Sequence, residues 1–557
     1  MLSADERAKR IKTTETKFAP YYSKLDDDFD LWDLKETKYE KYETAINVTS
    51  NEPRLFADDV QTDLAFSEMQ IIVRMAEAVG KDMGEDTGKL ERLFHFLLEK
   101  ADERLIAMLL PPLRETLIWF SAIRGCLAAR ILNYIDKDGL VADYLPLDPR
   151  WLTYEVGEKM LSWSAYKLFK TKQALEDMGH KPKGVPFYNF WTKERDVYPV
   201  HDYWGWEDGK IVNSVLYESN EVKAPVYYDL KSIPTLIMPV SARPPVVTEG
   251  TELGRYGESI YANKRAMYAL SNKVNTMHAT HANILAKQPL LNYIDDNDLR
   301  IETTTMYAEG IVNLKMGHQR IEPSPMREVS PTLLNLVNWV EDKIERGSTP
   351  NPRLGSPPPS GTALNLYREW GNKIYNPQVR ILGRFYAGIL RLTEGQLLMG
   401  GVGGKKITKV EIKTEKDRKL YAVDVKPIDL KKPHIINVEF TVKTAYSQLD
   451  VASLSDMLIR QGLPKRWVWE FILKVPDPKL LEELAIIEMV ENSPKLAMKK
   501  AVEVLMKYER VDDAKSLVRD MDRMEAMEEQ EVRSGREMEA PPGGGGAGEE
   551  MMPPPMV

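Results

Sequence analysis

The feature that most constrains the fold is a long helical pattern at residues 361–400. Its apolar stripe runs through Leu366, Trp370, Ile374, Ile381, Phe385, Ile389 and Leu392. Pro377 lies in the middle and predicts a kink, because proline lacks the N–H that the helix ladder needs. At 1.5 Å per residue, such a helix is about 60 Å long, which is more than one small domain requires. The sequence therefore predicts that this helix belongs to a larger assembly.

A shorter amphipathic helix and a stiff loop precede this long helix. The apolar stripe of residues 331–347 consists of Leu333, Leu336, Val337, Val340 and Ile344. Gly347 and Pro350 end that helix. The loop at 348–360 then carries Pro350, Pro352 and Pro357–Pro359. Because proline fixes φ and has no N–H, this loop is expected to be stiff and extended.

Composition excludes several classes of protein. The chain has 557 residues, with 76 basic and 84 acidic side chains and a net charge of −8, so it is not a generally basic nucleic-acid binder. Cys126 is the single cysteine, which excludes a disulfide framework. The first residues lack the apolar core of a signal peptide. The most hydrophobic run, 105–120, is interrupted by prolines and charges. We therefore expect a soluble protein of a reducing compartment, without a membrane partner.

The pattern along the chain predicts a mixed α+β protein. Residues 1–45 are charged and interspersed with aromatic side chains, and 60–136 have a helical pattern. Short β-runs follow at 137–250, with Asp-Gly turns at 138–139 and 208–209. The later segments are a helix at 257–288, a mixed region at 289–330, two strands expected to pair at 407–413 and 434–443, helices at 446–530, and an acidic Gly/Met/Pro tail at 533–557.

The usual catalytic motifs are missing, so no catalytic, cofactor or metal site is predicted. Residues 84–90 and 400–408 lack the spacing of a phosphate-binding loop and are interpreted as a loop and a helix C-terminus. His278 and His281 share a helix face without a third ligand nearby. Cys126 is interpreted as a core residue of an apolar helix.

One segment leaves a catalytic alternative open. Asp202, Glu207 and Asp208 stand among Trp204 and Trp206, an arrangement compatible with the carboxylate pair of a carbohydrate-active enzyme. The simpler interpretation is a hairpin turn at Asp208–Gly209 with the tryptophans packed beside it.

The helix at 257–288 has unusual chemistry for its length. It carries four basic residues and a single acidic one: Lys264, Arg265, Lys273 and Lys287 against Glu258. Small and polar residues occupy most of the helix circumference. The helix therefore has no wide apolar stripe with which to form a hydrophobic core within one chain. Such a helix can pack on copies of itself with one face on water or a polyanion. A solvated surface helix is the alternative.

The order of these elements resembles that of portal proteins of tailed bacteriophages, the rings through which DNA enters and leaves the capsid. Residues 257–288, entered at Gly257–Ser259, are similar to the first stem helix, 289–330 to the clip, and 331–347 to the second stem helix. The loop at 348–360 looks like the tunnel loop and the kinked 361–400 helix like the long wing helix. The resemblance implies wing regions at 1–256 and 401–445, a helical crown at 446–532 and a disordered tail at 533–557.

The resemblance also implies a function without bond-breaking chemistry. It implies a ring, commonly of twelve copies, in the virion, made in the host cytoplasm and crossed by double-stranded DNA. Implied partners are the terminase large subunit, the major capsid protein, head–tail connector or adaptor proteins and a scaffolding protein. The candidate residues for the DNA channel are Arg353, Asn351, Lys264, Arg265, Lys273 and Lys287, and those for the terminase-facing clip are Asp295, Asp296 and Asp298. Arg353 could instead pair with an acid such as Glu341 of a neighbouring copy, and another ring-forming connector protein is the second alternative.

Overall fold

A computed structural model gives the architecture of the chain. It describes residues 2–38, 46–75, 83–137, 139–158, 160–179, 197–241, 256–286, 290–294, 311–315, 320–323, 331–345, 361–402, 407, 410–416, 419–426, 429–431, 434–441 and 445–473. The described residues are 51% helix and 28% strand, which agrees with the predicted α+β class. The chain divides into two compact units, Met1–Asp450 and Val451–Val557.

The charged N-terminal region forms one long helix, and a second helix comes after it. The helix α1 (Ala4–Trp32) starts with a capping box, in which Ser3 and Glu6 satisfy each other's backbone N–H groups. Its aromatic face buries Phe18, Tyr21 and Tyr22 in a cluster of its own. The second helix, α2 (Glu52–Ala65), follows.

The prediction of helix throughout 60–136 is wrong at two places. Glu68–Met75 forms strand β1 and Cys126–Asp136 forms strand β2. Between them lie α3 (Met83–Ala107), α4 (Leu113–Trp119) and a π-helical turn, Phe120–Arg124. Strand β2 is nearly continuously apolar, and such runs fit a buried strand as well as a helix. Cys126 is buried as predicted, but in a strand.

Two antiparallel sheets occupy the region predicted to be β-rich. Besides β2, their strands are β3 (Gly139–Pro146), β4 (Leu152–Val156), β5 (Leu161–Thr171), β6 (Val197–Glu207), β7 (Lys210–Tyr217), β8 (Asn220–Tyr228) and β9 (Thr235–Pro239), with the short helix α5 (Lys172–Asp177) after β5. The first sheet has the order β3-β2-β9, and the second has the order β4-β5-β6-β7-β8. Asp208 and Gly209 have φ of 50° and 77° and join β6 to β7, which confirms the predicted turn.

A helical hairpin with a small sheet at its connection follows. Its helices are α6 (Arg265–Ala286) and α7 (Pro331–Glu345), which pack on each other. The sheet between them in sequence is formed by β10 (Leu290–Ile294), β11 (Ile311–Lys315) and β12 (Arg320–Pro323). Strand β10 pairs parallel to β11 and antiparallel to β12.

The long helix is present as predicted. The helix α8 (Gly361–Leu398) runs for 38 residues with Pro377 inside it and ends before Gly400 and Gly401. A buried polar network attaches it to the sheet. The Gln396 Oε1 atom accepts hydrogen bonds from the N–H and the Nδ2 of Asn133 at 2.8 and 3.0 Å. Tyr144 bonds to Asn133 and to Thr393 on α8.

The interpretation of residues 84–90 as a loop is wrong, because those residues belong to the helix α3.

The strand pairing after α8 differs from the prediction. Strand β13 (Val410–Lys416) pairs with β14 (Lys419–Val425), which the sequence analysis missed. Strand β15 (His434–Thr441) pairs antiparallel with β1, with Glu68 opposite Thr441 and Met75 opposite His434. The second unit contributes to the described residues most of α9 (Ala445–Arg460) and all of α10 (Lys465–Phe471).

Candidate functional site

The candidate site is the hairpin of α6 and α7, together with the turn by which the chain enters α6. Three backbone hydrogen bonds hold that entry. Val240 donates to the Gly125 carbonyl, Glu258 donates to Val240, and Ile260 donates to Ala122, each at 2.9 Å. The segment at Gly257–Ser259 is therefore fixed against the start of β2 and the π-helical turn before it.

The first two basic candidates on this segment, Lys264 and Arg265, make contacts with other residues of the same chain. Lys264 is only 5% exposed, and its Nζ lies 3.8 Å from the centre of the Phe56 ring. Burial lowers the pKa of Lys264 to about 8. Arg265 forms a two-pronged ion pair with the buried Asp28 of α1, with 2.7 Å between Nη2 and Oδ2. In one chain, both side chains therefore contact other parts of the same chain, which makes them weaker candidates for the DNA channel than an exposed lysine.

Lys273 remains a candidate on α6. Its side chain is exposed, on a narrow stripe with Ala266, Ala269 and Met277. Lys287, Asn351 and Arg353 lie outside the described residues, as do Asp295, Asp296 and Asp298 of the expected clip. The expected tunnel loop at 348–360 also lies outside them.

The polar face of α6 has a structural partner that the sequence analysis missed. The segment 46–50 runs along the helix and donates alternate backbone N–H groups to it. Ile46 donates to Thr280, Val48 to Thr276 and Ser50 to Asn272, at 2.9–3.0 Å. The acceptors are four residues apart, about 6 Å along a helix, and the donors are two residues apart, about 6.6 Å along a strand. The matching spacings explain why this face is polar.

The helix α7 buries only part of its large apolar side chains, and both members and non-members of its predicted stripe stay exposed. Val340 and Ile344 are buried at 1% and 3% exposure. Leu334, Leu336 and Trp339 are exposed at 45%, 38% and 47%. One isolated chain thus leaves in water the neighbouring pair Leu336 and Trp339, one helical turn apart, and Leu334 on another face of α7.

Two of the three carboxylates of the catalytic alternative, Asp202 and Glu207, are bound by arginines of the same chain. Asp202 accepts hydrogen bonds from Arg130 at 3.0 Å and from Asn213 at 2.7 Å. Glu207 pairs with Arg7 of α1 through two bonds of 2.9 Å, and both side chains are almost fully buried. A general acid or nucleophile must reach substrate. This geometry therefore favours a structural role for both carboxylates.

The described residues contain no group of three His, Cys, Asp or Glu side chains arranged to hold a metal ion. In the same part of the chain, no helix has the length and apolar character needed to cross a membrane. Comparisons with protein-family models and with curated protein sequences found no significant match.

Proposed function

We propose that this chain is the subunit of a bacteriophage portal, a ring at one capsid vertex that conducts double-stranded DNA. The observation that supports the proposal best is the order of elements after residue 256. A helix, a small sheet of mixed strand direction, a second helix packed on the first, and then a helix of 38 residues follow one another. This order corresponds to the stem, clip, stem and long wing helix of that family.

The exposed apolar residues support a homo-oligomer. Leu334, Leu336 and Trp339 on α7, and Met277 on α6, are between 38% and 51% exposed in one chain. Leu336 and Trp339 are neighbours on α7, and exposed apolar patches at the surface of a monomer mark interaction sites. Packing of each hairpin on its neighbours in a ring of twelve copies would bury them.

The mechanism of such a ring is passive conduction. Every phosphate contact adds salt-dependent affinity, and a channel that held DNA tightly would stall its movement. A chain of net charge −8, with few basic side chains available on the hairpin, suits that requirement. Lys273 is the basic residue of α6 that stays exposed in one chain. With Lys287, Asn351 and Arg353, it forms the set of channel candidates that we retain.

The partners follow from the same proposal. The sheet of β10–β12 and the acidic residues Asp295, Asp296 and Asp298 near it in sequence would face the terminase large subunit, which supplies the ATPase activity. The wing would contact the major capsid protein, and connector or adaptor proteins would attach below. A scaffolding protein would direct the ring into the capsid, so the mature protein would reside in the virion.

Native mass spectrometry of the purified chain tests the proposal. A dodecamer of the 63.7-kDa chain has a mass of roughly 760 kDa, and heterologous contacts that close make this mass discrete. We expect one dominant species within one or two subunits of that mass. A monomer over a wide range of protein concentrations would refute the proposed function.

A further inference from the structure

A groove of about 810 Å³ lies between the helix α8 and two strands, β15 and β9. Its lining on the β15 side runs from Ile436 to Phe440, and Met238 and Pro239 of β9 line the other side. The part of α8 that completes the lining extends from Val379 to Arg391. We call this space the α8 groove. Its size is within the range of sites that hold a ligand.

The helix α8 runs alongside β15 for the length of the groove. Tyr386 packs on Phe440 at one end, with 5.5 Å between the ring centres. Glu394 lies near the other end of the strand, with 3.6 Å between its Oε2 atom and the Nε2 of His434. The side of α8 that faces the groove therefore lies next to the edge of β15.

The edge of β15 that faces the groove has no partner strand among the described residues. Val73 of β1 lies opposite Ile436, but its N–H donates to Glu91 at 2.8 Å instead. Opposite residues in an antiparallel pair alternate between exchanging both hydrogen bonds and exchanging none. Ile436, Val438 and Phe440 therefore direct their N–H and C=O groups away from β1. In the part of the chain that the structure describes, β15 pairs with β1 alone.

The contact between β15 and α8 agrees with this direction. A Cβ atom on Gly383 would lie 2.4 Å from the carbonyl oxygen of Val438, so this oxygen points towards α8 and not towards β1. A row of backbone donors and acceptors without a partner strand is a template for the addition of another strand.

Three arginines of α8 line the same groove. Arg380, Arg384 and Arg391 are exposed, and at about 100° per residue they lie within about 40° of one another around the helix. Arg380 and Arg384 form no ion pair or hydrogen bond with the described residues. Arg391 has Glu394 nearby, three residues further along the helix. Glu439 is the acidic residue of the described lining, so three positive charges stand against one negative charge.

These features fit an acidic peptide better than a nucleic acid. Arginine binds carboxylates and phosphates alike. The β15 side of the groove, however, carries backbone carbonyls and the Glu439 carboxylate, which repel phosphate. A peptide strand supplies donors and acceptors for the edge as well as carboxylates for the arginines. Arg380 and Arg384 are about 6 Å apart along the helix, close to the roughly 6.6 Å between alternate side chains of a strand.

We propose that the α8 groove binds an extended acidic segment of a partner protein. The segment adds to the free edge of β15 as a strand, and its alternate carboxylates pair with Arg380, Arg384 and Arg391. In strand addition, main-chain hydrogen bonds provide affinity and alternate side chains provide specificity. All the residues of the groove belong to one chain, so this binding goes beyond the proposed ring and does not require it.

Fluorescence anisotropy with the full-length chain tests the charge match. The probe is a fluorescein-labelled peptide of ten residues that alternates Glu and Thr. Arg384→Glu should weaken its binding at least tenfold and should create binding of the corresponding Lys–Thr peptide. Arg460→Glu makes the same charge change at a side chain of α9 that is 79% exposed, and as the matched control it should change binding less than twofold. Equal effects of the two variants, or no saturable binding of the Glu–Thr peptide to the wild type, would overturn the proposal.

Hydrogen exchange with residue-level mass spectrometry tests the strand addition. Saturating Glu–Thr peptide should slow the exchange of the Ile436, Val438 and Phe440 amides at least tenfold. The amide of Asn437, which faces β1, is the internal control and should change little. If the peptide bound without slowing the first three amides, it would contact the arginines alone, and the added strand would be wrong.

Other occupants of the groove would be recognised in the same experiments. A ten-nucleotide oligothymidine that bound the wild type more tightly than the peptide, and lost binding in Arg384→Glu, would assign the arginines to nucleic acid. Loss of assembly in Arg384→Glu, measured by sedimentation, without peptide binding to the wild type would show that a second copy fills the groove. Either result would overturn the proposal.

The proposed function and the α8 groove can fail separately. Wild-type rings that do not bind the Glu–Thr peptide would refute the groove proposal and leave the portal proposal standing. A wild-type chain that binds the peptide as described but never assembles would refute the portal proposal and leave the groove proposal standing.

Discussion

Gly257 and Gly125 cross with their backbones in contact at the entry to α6. A Cβ atom on Gly257 would lie 2.0 Å from the carbonyl oxygen of Gly125, far inside any real contact. Gly257 also has a φ of +96°, which side chains rarely allow. Only two glycines allow the backbones to come this close, and this contact positions the start of the α6–α7 hairpin.

This crossing predicts a large cost for Gly257→Ala. The substitution adds a steric clash with backbone to a strained φ, and we expect a loss of about 3 kcal/mol in the free energy of unfolding. Gly209→Ala is the control, because φ there is +77° and no atom lies within 4 Å of the added Cβ. It should cost only about 1 kcal/mol. If urea unfolding gave equal losses of unfolding free energy for the two variants, the backbone crossing would contribute nothing to stability.

The contacts of segment 46–50 with α6 can be tested with one isosteric change. Thr276→Val keeps the shape of the side chain but removes the acceptor for the N–H of Val48. Because Thr276 is 4% exposed and the N–H is left without that bond, we expect a loss of about 1–2 kcal/mol. Thr16→Val on α1, where the threonine is exposed, is the control and should change stability by less than about 0.5 kcal/mol. Urea unfolding monitored by tryptophan fluorescence measures both.

Stability should fall in acid through Glu15. Burial raises the pKa of Glu15, but hydrogen bonds with His201 and Lys167 outweigh burial and lower that pKa to about 2. Its carboxylate is therefore favoured in the folded state. The resulting stabilisation is fully present above the unfolded pKa of 4.5 and is lost as the pH falls from 4.5 towards 2. Glu15→Gln should flatten the decrease of the unfolding free energy with pH over this interval; an unchanged slope would contradict the assignment.

The sequence predicted those elements whose pattern has only one structural solution. The 38-residue helix α8 has a long apolar stripe, and the turn at Asp208–Gly209 requires two residues with positive φ, so both were predicted correctly. Strands β1 and β2 were predicted as helix, since a short run such as Ile71-Ile72-Val73 has no distinguishing period. The partner of β1 is β15, far away in sequence, and local pattern contains no information on such pairings.

The site residues were harder to predict than the elements. Lys264 and Arg265 are basic residues on a polar helix, and nothing local distinguishes a side chain bound to Phe56 or Asp28 from one that faces DNA. The alternating donors of segment 46–50 were missed because their acceptors lie more than 220 residues later. The four-residue spacing of Asn272, Thr276 and Thr280 was the available signal.

The proline-rich loop at 348–360 predicts a separation of function from folding. Prolines stiffen both the unfolded and the folded chain, so they order the loop at little entropic cost. Replacing residues 350–359 with a Gly/Ser segment of equal length should leave rings intact in electron micrographs. The same change should reduce genome packaging, or retention of packaged DNA, in a complementation assay. Packaging equal to that of the parent would mean that the loop is only a linker.

Negative-stain electron microscopy of the purified full-length chain tests the central claim most directly. We expect closed rings in the absence of DNA, with rotational symmetry near twelvefold and a central hole wide enough for duplex DNA. Class averages that show only compact monomers, or oligomers without a central channel, would contradict it.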